Sequence, residues 1–293
     1  MDIFKRNKKS LDLDKLSCLS LDQAGILNAQ SPILAYWWDV NQNFGDWIGP
    51  WLIASITQRT VINTRAQNVP SSLFTVGSIL GHITQEQGCV DVWGSGLIAP
   101  LDQKKILKRL NKSKKPNFHA VRGKLTQAEI EKKMGWVIPN VYGDPALLIS
   151  EFYKANSLDL KIVICPHHIH YKQVKEKFNN TAIHVIDVMQ PPHIVIDQIA
   201  SADYCLSSSL HGLIIAQAYE VPWNWLRFST EPLVGDTFKF YDFFSIFESG
   251  LDIKPTDLTF DDLKPEIIEK LKQTSILPRL KVSLRELRDS FPL

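Results

Sequence analysis

Short apolar runs of strand length alternate along the chain with segments whose apolar residues recur at helical spacing. In the first half the strand-like runs are ILAYWWDV, SLFTVGSIL, CVDVWGSGL and NFHAVRG, and the helical patterns include WIGPWLIASITQ and LTQAEIEKKMG. In the second half KIVICPHH, IHVIDVM and DYCLSSS each precede a helical pattern, namely YKQVKEKF, HIVIDQIASA and LHGLIIAQAYE. Strands that alternate with helices are typical of parallel sheets covered on both faces, so the pattern predicts an α/β fold.

A break in the alternation, around residues 147–160, separates the two series. It predicts two Rossmann-like domains, residues 1–149 and 150–293, that face each other across a cleft. In open α/β sheets ligands bind beyond the carboxyl ends of the strands. Small and polar residues follow the strand-like runs at these points: Asn43 to Asp46, Gly77 and Ser78, Gly94 to Gly96, Arg122, His167 and His168, and Ser209 to Gly212.

The last residues have a different pattern, in which Leu277, Leu280, Leu284, Leu287 and Phe291 recur three and four apart. This spacing predicts a C-terminal helical tail with one apolar stripe. The stripe packs on its own domain in the simplest interpretation, and a homo-oligomer seam or a membrane-surface helix are the alternatives.

Composition indicates an ordinary globular protein. The chain has 293 residues and a net charge of +2, which gives no general signal for nucleic acid, although lysines cluster between residues 104 and 115. Cys18, Cys89, Cys165 and Cys205 are far apart and without a CxxC pair, and they are expected to be reduced core thiols. The N-terminus has no signal-peptide pattern and no run reaches the length of a membrane span, so a cytoplasmic location is expected.

The segment SSSLHGLIIAQAYEVP, residues 207–222, is the first candidate for chemistry. It places His211 and Gly212 where a strand ends and an apolar helix begins. A helix N-terminus leaves backbone N–H groups unpaired and carries partial positive charge, so it favours an anionic ligand. The alternative for His211 is a core histidine that donates to a backbone carbonyl. Arg122 also lies between a strand and a helix, where it could form a fork to a phosphate or carboxylate.

Four other patterns predict no site. Residues 94–99 fit the outline GxGxxA, but Pro100 crowds the next helix and no acidic residue follows at the expected distance. The three histidines of HHIH lack a partner pair at zinc spacing, and no metal or cofactor is expected. The DxD outline at Asp12 to Asp14 lies in a polar segment, and the serines before His211 lack a GxSxG elbow.

Seven motifs in order resemble the polysaccharide pyruvyl transferase family: NFGD, GSIL, VWGSGL, VRGKLT, YGDPALL, SSLHGLIIAQAYEVP and DTFKFYDFF. The resemblance implies a GT-B-like pair of Rossmann domains. It also implies transfer of the enolpyruvyl unit of phosphoenolpyruvate to two hydroxyls of a saccharide acceptor, which gives a pyruvate ketal in capsule or exopolysaccharide biosynthesis. The acceptor could be lipid-linked, with the enzyme at the inner face of the membrane.

The positions that match the family, together with the residues at the strand ends and at the helix N-terminus, suggest the roles in one site. They make His211 the catalytic acid and Asp46 the preferred base, with His168 as the other candidate for the base. The donor-binding residues would be Arg122, Ser209, Leu210, Gly212 and Lys239, and the acceptor or cleft residues Asn43, Gly45, Ser95 and His168. Sugar rings could stack on Trp47, Trp93 or Trp223.

One position departs from the family pattern, because Ser209 stands where the family commonly has an arginine before LHG. Either another cation such as Lys239, Arg227 or Lys124 replaces it, or the donor is different. Two alternatives therefore remain: a GT-B glycosyltransferase that uses a nucleotide sugar, and a non-catalytic saccharide-binding protein.

Overall fold

The first half of the chain forms a sheet of five parallel strands. The structure, a computed structural model, describes residues 32–41, 43–65, 67–179 and 181–293, so Cys18 and the DxD outline lie outside the described residues. The strands are β1 (Ile33–Tyr36), β2 (Val61–Asn63), β3 (Ser71–Phe74), β4 (Cys89–Trp93) and β5 (Asn117–Ala120), in the spatial order β2-β1-β3-β4-β5. The helices of this half are α1 (Phe44–Thr57), α2 (Lys104–Leu110), α3 (Lys124–Met134) and the short α4 (Ile149–Phe152).

The second half forms another sheet of five parallel strands. The strands are β6 (Leu160–Cys165), β7 (His184–Val185), β8 (Ala202–Ser207), β9 (Trp223–Phe228) and β10 (Thr256–Leu258), in the order β10-β9-β8-β6-β7. The helices are α5 (Tyr171–Phe178), α6 (Pro192–Ala200), α7 (Leu210–Ala218), α8 (Phe238–Phe244), α9 (Pro265–Lys272) and α10 (Leu284–Asp289). Both sheets thus have the doubly wound order 2-1-3-4-5, which puts their ligand crevices between β1 and β3 and between β6 and β8.

The predicted α/β class is confirmed, and each strand-like run of the sequence contains a strand. Three strands were not predicted: β2, β9 and β10. β2 and β10 have only three residues each, and β9 directly follows Pro222, beyond the last strand-like run of the predicted alternation. The Lys104–Leu110 helix was seen only as a charge cluster because its apolar face is short.

A single apolar cluster joins the two sheets. It includes Ile48 and Trp51 from α1, Leu213 from α7 and Phe244 from α8. The segment 145–152, where the alternation breaks, lies inside this cluster, and Ala146 to Ile149 are almost fully buried. The division at residues 149 and 150 stays a prediction.

The predicted single helix in the tail is wrong. Only residues 284–289 are helical; Ile276 and Leu280 form bridges to Trp223 and Phe247, because Pro278 keeps this stretch extended. The end of the chain returns to the first sheet, where the Leu287 carbonyl accepts a hydrogen bond of 2.8 Å from Trp93 Nε1. The side chain of Leu287 is fully buried, so this part of the stripe contacts its own chain.

The expectation of core thiols holds for two of the three described cysteines. Cys165 and Cys205 are buried in the second sheet, whereas Cys89 is exposed at the start of β4. Burial raises the pKa of Cys165 to about 12, so this thiol stays protonated at neutral pH. No helix among the described residues is long and apolar enough to cross a membrane.

Candidate active site

A contact joins the first turns of α1 and α7, the helices that follow β1 and β8. Gly45, in the first turn of α1, lies directly against the imidazole of His211, in the first turn of α7. A Cβ at residue 45 would overlap the His211 ring. The Phe44 ring meets the same imidazole edge-on, with 6.4 Å between centroids. The absence of a side chain at residue 45 is therefore what lets His211 reach the boundary between the sheets.

Gly45→Ala is expected to lower the free energy of unfolding by about 1–3 kcal/mol, because the added methyl group is forced against a packed ring. Thermal unfolding of Gly45→Ala, His211→Ala and the double variant measures this. In the double variant the penalty should largely disappear, since the ring that causes it is gone. Gly81→Ala is the matched control, because a Cβ there would have only ordinary contacts, the nearest at 3.9 Å. Equal penalties with and without His211 would contradict the contact.

The two helices at the crevices differ in their free N–H groups. In α1, the Phe44 N–H donates to Val188 O at 2.9 Å, and the Gly45 N–H donates to the Asn43 side chain at 3.0 Å. In α7, the N–H groups of residues 210–212 have no acceptor within the described residues. An anion is therefore favoured at α7 and not at α1.

His211 combines a ring nitrogen without a hydrogen-bond partner in the described part of the chain with a lowered pKa. Its Nε2 atom is buried and has no hydrogen-bond partner within the described residues, although the residue as a whole is partly exposed. Burial, followed by the positive charges of Lys239 and Arg122, lowers the pKa of His211 to about 3. The imidazole is thus neutral at pH 7. The alternative was a core histidine that donates to a backbone carbonyl. The Nε2 atom of His211 makes no such bond within the described residues.

Lys239, from α8, is a buried cation whose charge acts on both His211 and Asp46. Burial lowers its pKa to about 8, with the charge of Arg122 acting in the same direction and Asp46 opposing both. Burial also raises the pKa of Asp46 to about 7, and Lys239 limits the rise. Lys239 thus lies within electrostatic reach of both Asp46 and His211.

The histidines after β6 divide into two kinds. His170 is structural, because its ring nitrogens bond Ser208 Oγ at 2.9 Å and Glu231 O at 2.8 Å. The His167 and His168 rings lie 4.3 Å apart at a tilt of 36°, and the Nδ1 atom of each is buried without a partner within the described residues. Burial, then the charge of Lys239, lowers the pKa of both. Within the described residues no three histidine, cysteine or carboxylate groups are arranged to hold a metal.

Arg122 was expected to bind an anionic donor, and in the structure it binds Asp242 instead. The guanidinium is fully buried. Its Nε donates to Asp242 Oδ2 at 2.9 Å, Nη1 to Ser78 Oγ at 2.6 Å, and Nη2 to Leu97 O at 2.6 Å. A Cβ at Gly96 would overlap the guanidinium, so this glycine makes room for it. In this conformation Arg122 holds α8 against the first sheet and adds positive potential near His211.

Asp242 also closes the N-terminus of α3. Its carboxylate accepts hydrogen bonds of 2.7 Å from the backbone N–H and from the hydroxyl of Thr126. Lys239 is one turn earlier on the same helix, α8, so the two side chains lie on one face. The buried ion pair with Arg122 therefore fixes the position from which Lys239 enters the site.

Several predicted contacts are corrected by the packing. Ser95, assigned to the acceptor, is fully buried, and its hydroxyl donates to Gly77 O at 3.0 Å. Gly212 was expected to let a donor approach the backbone, but a Cβ there would overlap Ser207 Oγ, so the glycine is needed for packing of α7 on the strands. The three tryptophans proposed for sugar stacking are core residues: Trp47, Trp93 and Trp223.

Two of the three proposed replacements for the missing arginine lie elsewhere. Arg227 forms a two-bond ion pair with Asp236 and a third bond to Asp257, at 2.8–2.9 Å. Lys124 is exposed and lies over the Tyr142 ring. Ser209 itself is the N-cap residue of α7, where its side chain makes no capping bond. Lys239 is the candidate whose charge acts on the site.

Comparisons with known proteins agree with the resemblance seen in the motifs. Residues 92–229 match the family model described as polysaccharide pyruvyl transferase. An uncharacterized protein of Acanthamoeba polyphaga mimivirus is 32% identical over 136 residues, which are 44% of this chain and 47% of that protein. The chain therefore spans about half the length of this relative. The match includes Arg122 and His211, while Asp46 and Lys239 lie outside it. Residues 92–229 are thus similar to the polysaccharide pyruvyl transferase family.

Proposed function

We propose that the protein transfers the enolpyruvyl unit of phosphoenolpyruvate to two hydroxyls of a saccharide and forms a cyclic pyruvate ketal. The observation that carries this proposal is the buried Nε2 of His211, in the first turn of a helix whose first three N–H groups, like Nε2 itself, have no partner within the described residues, with Lys239 in electrostatic reach of the imidazole. A proton donor, a helix N-terminus and an ammonium group in one place suit a substrate that combines two anionic groups with a double bond to be protonated. The family match supports the same chemistry.

The reaction needs one proton delivered and two removed. In the first step a sugar hydroxyl oxygen bonds to C2 of the enolpyruvyl group, its proton goes to a base, and the methylene carbon C3 takes a proton to become a methyl group. In the second step the oxygen of a neighbouring hydroxyl bonds to C2, its proton goes to the base, the C2–O bond to phosphate breaks, and inorganic phosphate leaves with the second proton. The products are one ketal and one phosphate.

The residues divide these tasks by position. The N–H groups of α7 and the Lys239 ammonium bind the phosphate and carboxylate. His211 is neutral in the empty site; the bound anions raise the pKa of its imidazole, so it protonates when the donor binds and then delivers that proton to C3. Asp46, whose pKa near 7 suits proton transfer at neutral pH, removes protons from the hydroxyls. Asn43 and His168 line the acceptor side, and no metal or cofactor takes part.

Release of inorganic phosphate from phosphoenolpyruvate tests the proposal. The protein is incubated with the donor and a panel of methyl glycosides that carry free 1,2- or 1,3-diols, and the ketal is identified by mass spectrometry. Phosphate release that depends on a glycoside supports the proposal. Protection against thermal unfolding by a UDP-sugar, with none by phosphoenolpyruvate, would favour the nucleotide-sugar alternative. Protection by a saccharide alone would favour the non-catalytic one.

The rate should depend on pH as a bell with its maximum between about 7 and 8. Asp46 must be deprotonated, so kcat/KM rises as pH passes its pKa of about 7, and Lys239 must be protonated, so kcat/KM falls above its pKa of about 8. The two values belong to the interacting pair. Asp46→Asn should remove the acid limb and Lys239→Met the alkaline limb, while titration of the donor phosphate is common to all three proteins. Unchanged limbs in both variants would contradict these roles.

A further inference from the structure

A partly exposed aromatic and cationic cluster lies next to the site, at the carboxyl end of β1. Its members are Trp38 and His82, whose ring centroids are 5.1 Å apart, and Arg65, whose guanidinium carbon lies 5.4 Å from the Trp38 ring. Trp38 and His82 are both partly exposed. The fully buried tryptophans cannot meet a sugar, whereas Trp38 presents an aromatic surface at the edge of the sheet where ligands bind.

Tyr36 connects this cluster to the site. It stacks on His82 at 5.8 Å. The charges of Arg65, Arg109 and Asp46 all act on its hydroxyl. The aromatic cluster and the proposed base therefore both lie within electrostatic reach of this one residue.

The cluster has more positive than negative charge. Arg65 is paired with Asp39, but Arg109 has no carboxylate partner; its Nη2 donates to the Gly81 carbonyl, and its Nε is buried without a partner within the described residues. Two guanidinium groups beside one carboxylate favour an anionic ligand.

Arg109 also belongs to a cationic strip that continues along α2. Seven of the twelve residues from 104 to 115 are Lys or Arg and none is Asp or Glu, in a chain whose net charge is only +2. The lysines of this segment are exposed. A shallow groove of about 320 Å³ is lined by Lys105, Lys108, Arg109 and Lys112, with Glu86 as its one acidic residue. The rest of the chain is acidic overall, so the charge is concentrated on this face.

We propose that the acceptor is an anionic saccharide chain that lies along the α2 groove and passes over Trp38 and His82 towards Asp46. This inference rests on the proposed function, whose acceptor class it names. The groove lysines neutralise acidic groups several sugars from the reacting end, and Arg65, Arg109 and Trp38 hold the sugars nearest to it. The site then selects acceptors by charge as well as by the geometry of the diol.

The test uses the full-length protein with tetragalacturonate as an acidic probe and maltotetraose as a neutral probe of the same length. The parent protein is expected to bind tetragalacturonate and not maltotetraose. Replacing Lys105, Lys108 and Lys112 together by Gln should weaken binding of the acidic probe by about tenfold or more. The slope of log Kd against the logarithm of the salt concentration should fall by about two. Trp38→Ala should weaken it by about tenfold and Trp38→Tyr by less, because an aromatic face is retained.

The control variant removes the same charge elsewhere, by replacing the exposed Lys172, Lys270 and Lys272 of the second half with Gln. It should bind within about twofold of the parent, since these residues are outside the groove. Equal binding of tetragalacturonate by the parent and the α2 variant would overturn the inference. So would binding only to vesicles that contain phosphatidylglycerol, which would make the strip a membrane contact.

Binding of phosphoenolpyruvate to the same proteins separates this inference from the proposed function. The α2 variant should bind the donor like the parent. A parent that binds tetragalacturonate through the groove but never releases phosphate would remove the proposed function and leave the saccharide surface. A parent that releases phosphate, with no difference between the two lysine variants, would remove the inference alone.

Discussion

His211→Gln is expected to bind phosphoenolpyruvate within a few-fold of the parent protein and to release phosphate at least about 10²-fold more slowly. Binding survives because the neutral imidazole of the empty site is replaced by a neutral amide, and because the N–H groups of α7 and the Lys239 ammonium remain. Turnover falls because glutamine cannot deliver a proton to C3. The measurement is donor affinity by calorimetry together with phosphate release in the presence of an acceptor glycoside.

His193→Gln is the matched control for this variant. His193, in α6, also has a buried Nδ1 without a partner within the described residues, but no residue of the site acts on its pKa. It should turn over like the parent. Equal rates for His211→Gln and the parent would return His211 to the role of a core histidine, whereas a loss of donor affinity equal to the loss of turnover would make it a binding residue.

The fold class and the position of His211 could be predicted from local sequence. Each strand-like run is followed by small residues, and the LHG corner combines a strand end, a helix start and a titratable side chain within four residues. The spatial meeting of Gly45 and His211 could be expected only from the family motifs, because the two residues are 166 positions apart and no local pattern links them.

The position of Lys239, the exposure of Trp38 and the path of the tail depend on contacts between residues far apart in the sequence, which no local sequence pattern indicates. Lys239 was expected from the resemblance, but its entry into the site depends on Asp242, whose partner Arg122 is 120 positions away. The sequence contains eight tryptophans and does not show which of them are buried, because burial is a property of the packed fold. Only the structure shows that Trp38 is partly exposed. The tail does not form one helix, although its apolar spacing fits one, because Pro278 and the bridges of Ile276 and Leu280 hold residues 276–280 extended.

Arg122→Ala is expected to lower the free energy of unfolding by about 3–5 kcal/mol, because it leaves the Asp242 carboxylate fully buried without its counter-charge. Thermal and urea unfolding measure this loss. Arg122→Lys should recover only part of it, since an ammonium group cannot reach Asp242, Ser78 and the Leu97 carbonyl together.

Arg122→Met combined with Asp242→Asn separates the stabilising role of the pair from direct donor binding. The double variant has no buried charge, keeps an acceptor for the Thr126 N–H, and should recover most of the stability. Its affinity for phosphoenolpyruvate should lie within a few-fold of the parent, because in the structure every guanidinium nitrogen of Arg122 already binds a protein oxygen. A double variant that is stable but binds the donor far more weakly would show that the donor displaces Asp242 and takes the guanidinium for itself.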